Sequence, residues 1–219
     1  MMSFRIIRPS VRIQVGNFMA RKPTQKRAKV TVDTIVQAGF IAVAQSGIHG
    51  ATTRQIADIS GVGVGSLYEY FENKEAIYEA MNQRFVNDIV EMLRELTPTF
   101  VRINMYELVE LMIYRFRDLL QKDEGAYLKY IRYSKFSPQV ESALMEVAMH
   151  YVMHNPQFLR VKNMMTISSI CINAGIYNVI RHLGAHNPSI SFEEMTEGLA
   201  RMTVGYVNAE LERASKGLE

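Results

Sequence analysis

The stretch from Thr52 to Lys74, TTRQIADISGVGVGSLYEYFENK, constrains the fold more than any other part of the chain. Thr52 and Gln55 have the pattern of a capping box, in which each side chain satisfies an exposed backbone N–H of the other residue, and this predicts a helix from Thr53 to Ser60. Gly61 follows where the chain must turn, because glycine adopts positive φ without steric strain. A second short helix comes next, and a pair of this kind can place its second helix in the DNA major groove.

The apolar residues of this stretch give the helix pair an inner and an outer side. Ile56, Val62, Leu67 and Phe71 can pin the two helices together, which leaves Val64, Gly65, Ser66, Glu69 and Tyr70 facing outward. On the outer side, the Ser66 hydroxyl can hydrogen-bond to a base edge and Val64 can contact a thymine methyl group. Arg54, at the start of the first helix, is a candidate contact to a base or a phosphate.

Between Ile35 and about Ile77 the sequence resembles the TetR-type transcriptional regulators. The resemblance rests on Ile35, Ala38, Gly47, Thr52-Thr53, Ile56-Ala57, Gly61-Val62 and Leu67-Tyr68-x-Tyr70-Phe71-x-x-Lys74-Glu75, and the spacing of the last tyrosine, phenylalanine and lysine is its most specific part. It implies that Tyr68, Tyr70 and Lys74 contact DNA phosphates. One departure is Gly63, where members of the family often have a serine that caps the second helix; glycine costs roughly a few tenths of a kcal/mol there.

Three of these positions have a second interpretation. Tyr68 could belong partly to the core, and Lys74 could simply begin the next helix. Glu69 would repel phosphates if it pointed at the DNA backbone, so it is either solvent-facing or a reader of cytosine. The complete DNA-binding set predicted from the sequence is Thr52, Arg54, Val64, Gly65, Ser66, Tyr68, Tyr70 and Lys74.

Positive charge is concentrated in the N-terminal part of the sequence, up to the first turns of the first long helix. Eight of the 25 Lys and Arg residues precede Asp33, the first acidic residue, which leaves 17 basic residues against 22 acidic residues in the rest of the chain. We interpret residues 1–25 as a basic, flexible arm that can contact phosphates or the minor groove. The alternatives are a solubilising tail, or residues that precede a native start at Met19.

Composition and motifs narrow the class of protein further. The chain has 219 residues, 48% of them hydrophobic, which suffices for the core of one or two domains. No apolar run approaches the ~18 residues that cross a bilayer, and residues 1–20 lack the pattern of a secretory signal. The single cysteine, Cys171, permits no intrachain disulfide, and we expect a cytoplasmic protein.

No pattern of enzymatic chemistry is present in the sequence. It contains no P-loop, no Gly-x-Ser-x-Gly elbow and no HExxH, so we predict that the protein is not an enzyme and needs no cofactor. His150 and His154 are spaced to share a metal on one helix face, but no carboxylate or cysteine partner is evident and we predict no metal site.

The rest of the chain predicts further helices and no strand. Helices are expected over Lys26–Ser46 (ended by Gly47), Lys74–Leu96 (ended by Thr97-Pro98), Met105–Gln121, Glu124–Ser134, Pro138–His154 (capped by Ser137), Gln157–Leu183, and from the capping box at Ser191 to about Ala214. The predicted fold is all-α with about nine helices. It comprises an N-terminal three-helix DNA-binding head with the helix-turn-helix over residues 26–73, and a C-terminal helical effector-binding and dimerisation domain over residues 74–215.

Methionine and aromatic residues concentrate in the middle of the chain. Methionine's flexible thioether suits an adaptable apolar pocket, although a stripe of this kind is also ordinary core. The predicted ligand pocket consists of Met105, Tyr106, Met112, Phe116, Tyr127, Met149, Met153, Met165 and Cys171. Its ligand is expected to be largely hydrophobic, with an aromatic or acyl group.

The last two predicted helices offer more apolar surface than one packing face requires. The residues concerned are Ile167, Ile170, Cys171, Ala174, Ile176, Tyr177 and Ile180 in the first helix and Met195, Leu199, Met202, Val204, Tyr206 and Val207 in the second. Together with the family resemblance, they predict a homodimer through these helices that reads an inverted-repeat site. The alternative is an ordinary core within one chain.

The sequence therefore predicts a dimeric regulator that binds a double-stranded DNA operator and responds to a small hydrophobic effector. Repression follows from the family resemblance, and activation stays open. Two other classes compete with this interpretation: a helical small-molecule-binding protein or enzyme with a vestigial head, and a nonspecific DNA-binding protein.

Overall fold

The computed structural model describes residues 26–100, 102–131 and 138–216. These ranges form eight α-helices and one short 3-10 helix and contain no strand, which confirms the predicted all-α fold. The elements are α1 (Lys26–Gly50), α2 (Thr53–Ser60), α3 (Val64–Tyr70), α4 (Lys74–Phe100), α5 (Met105–Ile131), α6 (Pro138–His154), the 3-10 helix (Pro156–Arg160), α7 (Met164–Gly184) and α8 (Phe192–Ser215). The predicted arm (1–25), Ser134 and Ser137 lie outside the described residues. None of the described helices is long and apolar enough to cross a membrane.

Capping boxes were predicted at the starts of α2 and α8, and the structure forms them to different extents. At α8 the capping box is complete, since the Ser191 N–H donates to Glu194 Oε2 at 2.7 Å and the Glu194 N–H donates to Ser191 Oγ at 3.1 Å. At α2 only half of the box forms: the Gln55 N–H donates to Thr52 Oγ1 at 3.1 Å, but the Gln55 side chain turns to Gln45 and Ser46 of α1. The amide finds partners on a neighbouring helix, so it fastens α2 to α1 instead of closing its own cap.

Two predicted helix ends differ from those in the structure. The first helix continues beyond Ser46 to Gly50, although Gly47 interrupts its regular geometry with a φ of 72° and a ψ of 167°. The fourth helix does not stop at Thr97-Pro98 but runs to Phe100 with Pro98 inside it. The proline lies within the last turn, so the helix loses a backbone donor only at its very end.

Two helix boundaries between α4 and α7 also differ from the prediction. The gap expected between Gln121 and Glu124 lies inside the single helix α5, where Asp123 and Gly125 nevertheless have left-handed φ values of 50° and 74°. The single helix expected over Gln157–Leu183 is instead the 3-10 helix followed by α7. Pro156 fixes φ and lacks an N–H, which suits a short 3-10 turn better than a continuing α-helix.

The α4 helix contributes buried side chains to the hydrophobic core along most of its length. Its inward stripe includes Ile77, Met81, Phe85, Ile89 and Leu93, all buried and all belonging to one continuous hydrophobic cluster with α1, α5, α7 and α8. One helix therefore contacts both the helix-turn-helix and the remainder of the fold.

The closest crossing of α1 and α4 occurs at Gly39, and a larger residue there is expected to destabilise the protein. A Cβ atom on Gly39 would lie 2.7 Å from Met81 Sδ and 3.4 Å from Ile77 Cγ2. We expect Gly39→Val to lower the free energy of unfolding by about 2–3 kcal/mol through overpacking. Urea unfolding followed by circular dichroism measures this change.

The double variant Gly39→Val/Met81→Ala serves as the control. Met81→Ala alone should cost ~2–4 kcal/mol as a buried truncation, but it also removes the clashing sulfur. The combined loss should therefore be clearly smaller than the sum of the two single losses. Strict additivity would mean that the Gly39–Met81 approach is not the cause.

Candidate functional site

The helix-turn-helix is held together by side chains buried between its two helices. Ile56 of α2 and Leu67 of α3 are fully buried, and Phe71 at the end of α3 is buried beside them. The turn passes through Gly61 with a φ of 67°, and the Val62 N–H donates to the Ala57 carbonyl at 3.2 Å. This geometry fixes α3 against α2 and leaves the opposite side of α3 open.

The structure places six of the eight predicted DNA-binding residues on the surface of the head. The exposed positions, apart from Tyr68, are Thr52, Arg54, Val64, Gly65 and Ser66. The Tyr68 side chain is 45% exposed, so its alternative assignment to the core is wrong. Its hydroxyl lies 3.2 Å from Thr53 Oγ1, which orients the ring along the outer face of both helices. Glu69 is exposed on the same helix.

Tyr70 and Lys74 are placed differently from the other predicted contacts. Tyr70 is half-buried and packs against the core, which corrects the prediction that it faces outward. The Lys74 ammonium group donates to the Ala51 carbonyl at 3.3 Å and lies 5.5 Å from the centre of the Tyr78 ring. The Tyr78 hydroxyl in turn donates to the Ile48 carbonyl at 2.6 Å. In this structure Lys74 therefore fastens α4 to the segment between α1 and α2, and its contact with phosphate stays a prediction.

An apolar cavity with a volume of about 170 Å³ lies among α4, α5, α6, α7 and α8. Four of the nine predicted pocket residues line it, namely Met105, Met112, Phe116 and Cys171. A cavity of roughly this size lined by aliphatic side chains can stay dry and accept an apolar guest. The structure therefore places an apolar cavity in the predicted region.

The other five predicted pocket residues do not line this cavity. Met153 and Met165 are exposed, and Tyr106 and Met149 are half-buried elsewhere on α5 and α6. Tyr127 belongs to an aromatic cluster between α1, α4 and α5 instead. A methionine or tyrosine in the right region was not enough to assign it to the pocket, because the rotation of each helix decides which side chains face inward.

Small residues of α7 and α8 complete the cavity and were not predicted. They include Ser168 and Gly175 on α7 and Thr203 on α8. Ser168, Cys171, Ile172 and Gly175 are spaced as one face of a helix. This spacing was the available signal in the sequence, but serine and glycine do not mark an apolar pocket wall by their hydrophobicity.

The reactivity of Cys171, the only cysteine of the chain, should report on this chamber. Burial raises the pKa of the Cys171 thiol above its ordinary value, and a hydrogen bond with Thr203 only partly offsets this effect. Because the thiolate is the reactive form, we expect slow alkylation by iodoacetamide near pH 8 and faster alkylation as the pH rises. Mass spectrometry of the intact protein measures the rate.

The matched control for this rate is the variant Cys171→Ser/Ser142→Cys, which moves the thiol to an exposed position on α6. The exposed thiol should react several-fold faster at the same pH. Equal rates for the two thiols would show that Cys171 is not shielded as the structure indicates.

An aromatic cluster connects the head to the helices around the cavity. The Phe40 ring of α1 packs edge-on against Tyr127 and Tyr130 of α5, with ring centres 4.8 and 5.2 Å apart, and Phe85 of α4 packs against the same two rings. The Tyr127 hydroxyl donates to Asp88 Oδ2 at 2.6 Å. Burial, followed by this hydrogen bond, raises the pKa of Tyr127, and burial raises the pKa of Tyr130 to about 12. Both phenols are therefore neutral at physiological pH.

The helices α7 and α8 also expose apolar side chains on the side of α7 opposite the cavity. Ile170 and Tyr177 of α7 are 50% and 65% exposed, and Met202 and Tyr206 of α8 are exposed as well. By contrast, Ile167, Met195, Leu199 and Val207 are buried within the chain, so these four belong to the packing face inside the subunit. We call the residues Ile170, Tyr177, Met202 and Tyr206 the outer apolar face.

The two histidines with metal-ligand spacing do not gather a third ligand. The rings of His150 and His154 lie 4.3 Å apart, and His154 Nδ1 is 2.9 Å from the His150 carbonyl. Burial, together with the neighbouring His154, lowers the pKa of His150. Across the part of the chain that the structure describes, no three His, Cys, Asp or Glu side chains could hold one metal ion.

These features define a class: an all-α protein with a helix-turn-helix head and a helical body that encloses an apolar cavity. The family model described as "Bacterial regulatory proteins, tetR family" matches residues 28–81, which include α2 and α3. The DNA-binding head of the chain is therefore similar to that of the TetR family, as its sequence resemblance indicated.

Relatives of known name or structure agree with this assignment. The chain is 36% identical over 56 residues to the HTH-type transcriptional repressor KstR2 of Rhodococcus jostii (strain RHA1), an alignment that covers 26% of this chain and only 28% of that repressor. A TetR-like transcriptional regulator from Rhodococcus sp. RHA1 has a TM-score of 0.62 at 18% identity over 86% of this chain and 99% of that one. The regulator FadR from Bacillus subtilis, solved in complex with stearoyl-CoA, has a TM-score of 0.56 at 18% identity over 85% and 99%. At such identities the structural likeness establishes the fold alone.

Proposed function

We propose that the protein is a dimeric transcriptional repressor that binds an inverted-repeat operator and is released by a small hydrophobic effector. The observation that carries this proposal is the position of α4. Its first turns are fastened through Lys74 and Tyr78 to the end of α1 and the residue that follows it, next to the start of α2, while Ile89 and Met92 of the same helix line the cavity. A ligand that displaces α4 therefore acts directly on the part of the protein that holds the DNA-reading helices.

The head offers an open face to DNA but little net positive charge of its own. Residues 26–81 contain five Lys or Arg and six Asp or Glu. Arg54 and the outer side of α3 would supply specific contacts, and the basic residues before Lys26 would supply most of the attraction to phosphates. Removal of those residues should therefore weaken binding to all DNA sequences and reduce its dependence on salt.

The outer apolar face supports a homodimer through α7 and α8. A helix that is apolar on two opposite sides needs two partners, and α7 already uses one side for the cavity. Gly198 and Gly205 of α8 are also exposed and would allow a second copy to approach closely. A two-fold dimer would present two α3 helices to successive major grooves of an inverted repeat.

The effector is proposed to act by shifting the balance between two arrangements of α4. In one arrangement the two recognition helices match successive grooves, and in the other, favoured by the bound effector, their separation no longer fits. The effector must bind the second arrangement more tightly, and a coupling of ~1–3 kcal/mol is ordinary for such switches. The FadR structure with stearoyl-CoA, which shares the fold, supports an effector with a long apolar part.

Selection of genomic DNA on the purified full-length protein tests this function. The selection is repeated at two salt concentrations and with a variant that lacks the residues before Lys22. We expect enrichment of an inverted repeat, and the neighbouring genes would indicate the chemical class of the effector. If the folded, ligand-free protein binds DNA strongly but enriches no particular sequence, the result would favour a nonspecific DNA-binding protein. If the protein does not bind DNA at all, the result would favour a ligand-binding protein with a vestigial head.

Two further parts of the proposal follow from this function. A protein that acts on a chromosomal operator works in the cytoplasm. The proposal also assigns no catalytic step to the chain, because every role in it is one of binding and conformational change.

A further inference from the structure

The cavity is lined by uncharged side chains. Its described lining includes no Asp, Glu, Lys, Arg or His, and the titratable groups there are Tyr151 and Cys171. Burial raises the pKa of both, so both are neutral at physiological pH. An isolated ion moved from water into such surroundings loses several kcal/mol of solvation without gaining a partner. The part of a ligand that enters the cavity must therefore be uncharged.

The cavity nevertheless contains one small polar cluster, at the contact of α7 and α8. Ser168 is only 8% exposed and lines the cavity. Cys171 lies one turn further along the same face of α7, and its thiol is hydrogen-bonded to Thr203 of α8. Buried polar groups are rarely left without a partner, because an unmade hydrogen bond costs ~1–3 kcal/mol. The Ser168 hydroxyl is thus placed to meet a polar atom of a ligand.

The cavity is also long relative to its volume. Its lining on α7 runs from Met164 to Val179, a distance of about 22 Å at ~1.5 Å per residue. A volume of about 170 Å³ spread along such a length describes a narrow channel that suits an extended chain.

We propose that this channel selects an extended aliphatic molecule that is uncharged along its buried length and carries one hydrogen-bonding oxygen, which is received by Ser168 and Thr203. This inference rests on the proposed function and adds the chemical class of the effector. A long-chain alcohol, ester or thioester has the required chemistry, whereas the ionised carboxylate of a free fatty acid does not. An oxygen of the ligand at this position would give the Ser168 hydroxyl a hydrogen-bond partner inside the channel.

Displacement of the uncharged fluorophore N-phenyl-1-naphthylamine tests the proposal without DNA. The competitors are 1-alkanols and the matching n-alkanoates, from about eight to about sixteen carbons. At about pH 8, where the carboxylates are ionised, we expect the best alcohol to bind at least ~10-fold more tightly than its matching carboxylate. Towards pH 5, where a growing fraction of the acid is neutral, the difference should narrow.

Three variants distinguish a contribution of the polar cluster to ligand binding from a general effect of substitution on the fold. Ser168→Ala and Thr203→Val should each weaken binding of the alcohol about 2- to 10-fold, and this loss should exceed any change in binding of the fluorophore. Thr196→Val is the matched control, because Thr196 is a fully buried threonine on the same helix whose hydroxyl has no partner, but it does not line the cavity. It should leave both affinities unchanged.

Three results would overturn the proposal: equal binding of alcohols and carboxylates at about pH 8, an unchanged alcohol affinity in the Ser168→Ala/Thr203→Val double variant, or no displacement by any alcohol of the series. The effect of the alcohols on operator binding is a separate measurement. If the alcohols bind as expected but operator affinity does not respond, the ligand class stands and the proposed regulatory function fails.

Discussion

Ser66→Glu is expected to lower operator affinity on the order of 100-fold while leaving the protein folded. Ser66 is exposed in the first turn of α3, which begins at Gly63 without a side-chain cap. A glutamate three residues after the cap interacts favourably with the helix N-terminus, so the substitution should not weaken α3. The same carboxylate would face the phosphates and bases of the operator. Loss of a base contact and the added repulsion together cost ~1–1.5 kcal/mol per subunit, or ~2–3 kcal/mol for the dimer on its operator.

The control for this prediction carries the same substitution on the body of the protein. Ser142 of α6 is exposed, and Ser142→Glu changes the net charge of the chain by the same amount. Fluorescence anisotropy with the selected operator, at fixed salt, should show little change for Ser142→Glu. If both variants lost affinity equally, the cause would be net charge, and α3 would not be the element that reads DNA.

Gly175→Phe is expected to abolish the response to the effector while operator binding persists. Gly175 lies in the middle of the α7 face that lines the cavity, and a Cβ atom there would meet no heavy atom within 4 Å outside its own helix. The phenyl ring can therefore grow into the channel and occupy it. We expect binding of N-phenyl-1-naphthylamine to weaken by about 30-fold or more, since forcing a guest into a filled site costs ~2–3 kcal/mol. Operator affinity in the absence of a ligand should stay within a few-fold of the original.

Gly175→Ala is the control, because it changes the helix propensity at this position without filling the channel. Alanine should stabilise α7 by roughly 0.5–1 kcal/mol relative to glycine but leaves the channel open. This variant should unfold at a slightly higher temperature and keep its affinity for the fluorophore and its response on the operator. A Gly175→Phe protein that still bound the fluorophore normally would place the binding site elsewhere than this cavity.

The coupling that we propose between the two sites would pass through the region where α4 meets α1 and α5. The aromatic contacts of Phe40 and Phe85 with Tyr127 and Tyr130 lie between the cavity and the head. Close-packed clusters of this kind transmit displacement instead of absorbing it. The structure thus supplies a continuous packed route from Ile89 and Met92 to the helix-turn-helix, consistent with the switch proposed for the effector.

The sequence by itself determined the parts of the molecule that depend on local interactions. The helix-turn-helix follows from Thr52 as a cap, Gly61 at a position with positive φ, and Leu67 and Phe71 as buried contacts. The Ser191 capping box fixed the start of α8 in the same way. Each of these features involves residues a few positions apart, so the chain pattern contains the whole interaction.

Only the tertiary structure decided how side chains point when several packing faces were available. It turned Gln55 to α1, Lys74 to the Ala51 carbonyl, and Met153 and Met165 away from the cavity. It also placed Ser168 and Gly175 in the wall of the channel, although neither residue is strongly hydrophobic. The physical reason is that α7 is apolar on two opposite sides, and the helices packed around it, not its own periodicity, determine which side becomes the wall of the cavity.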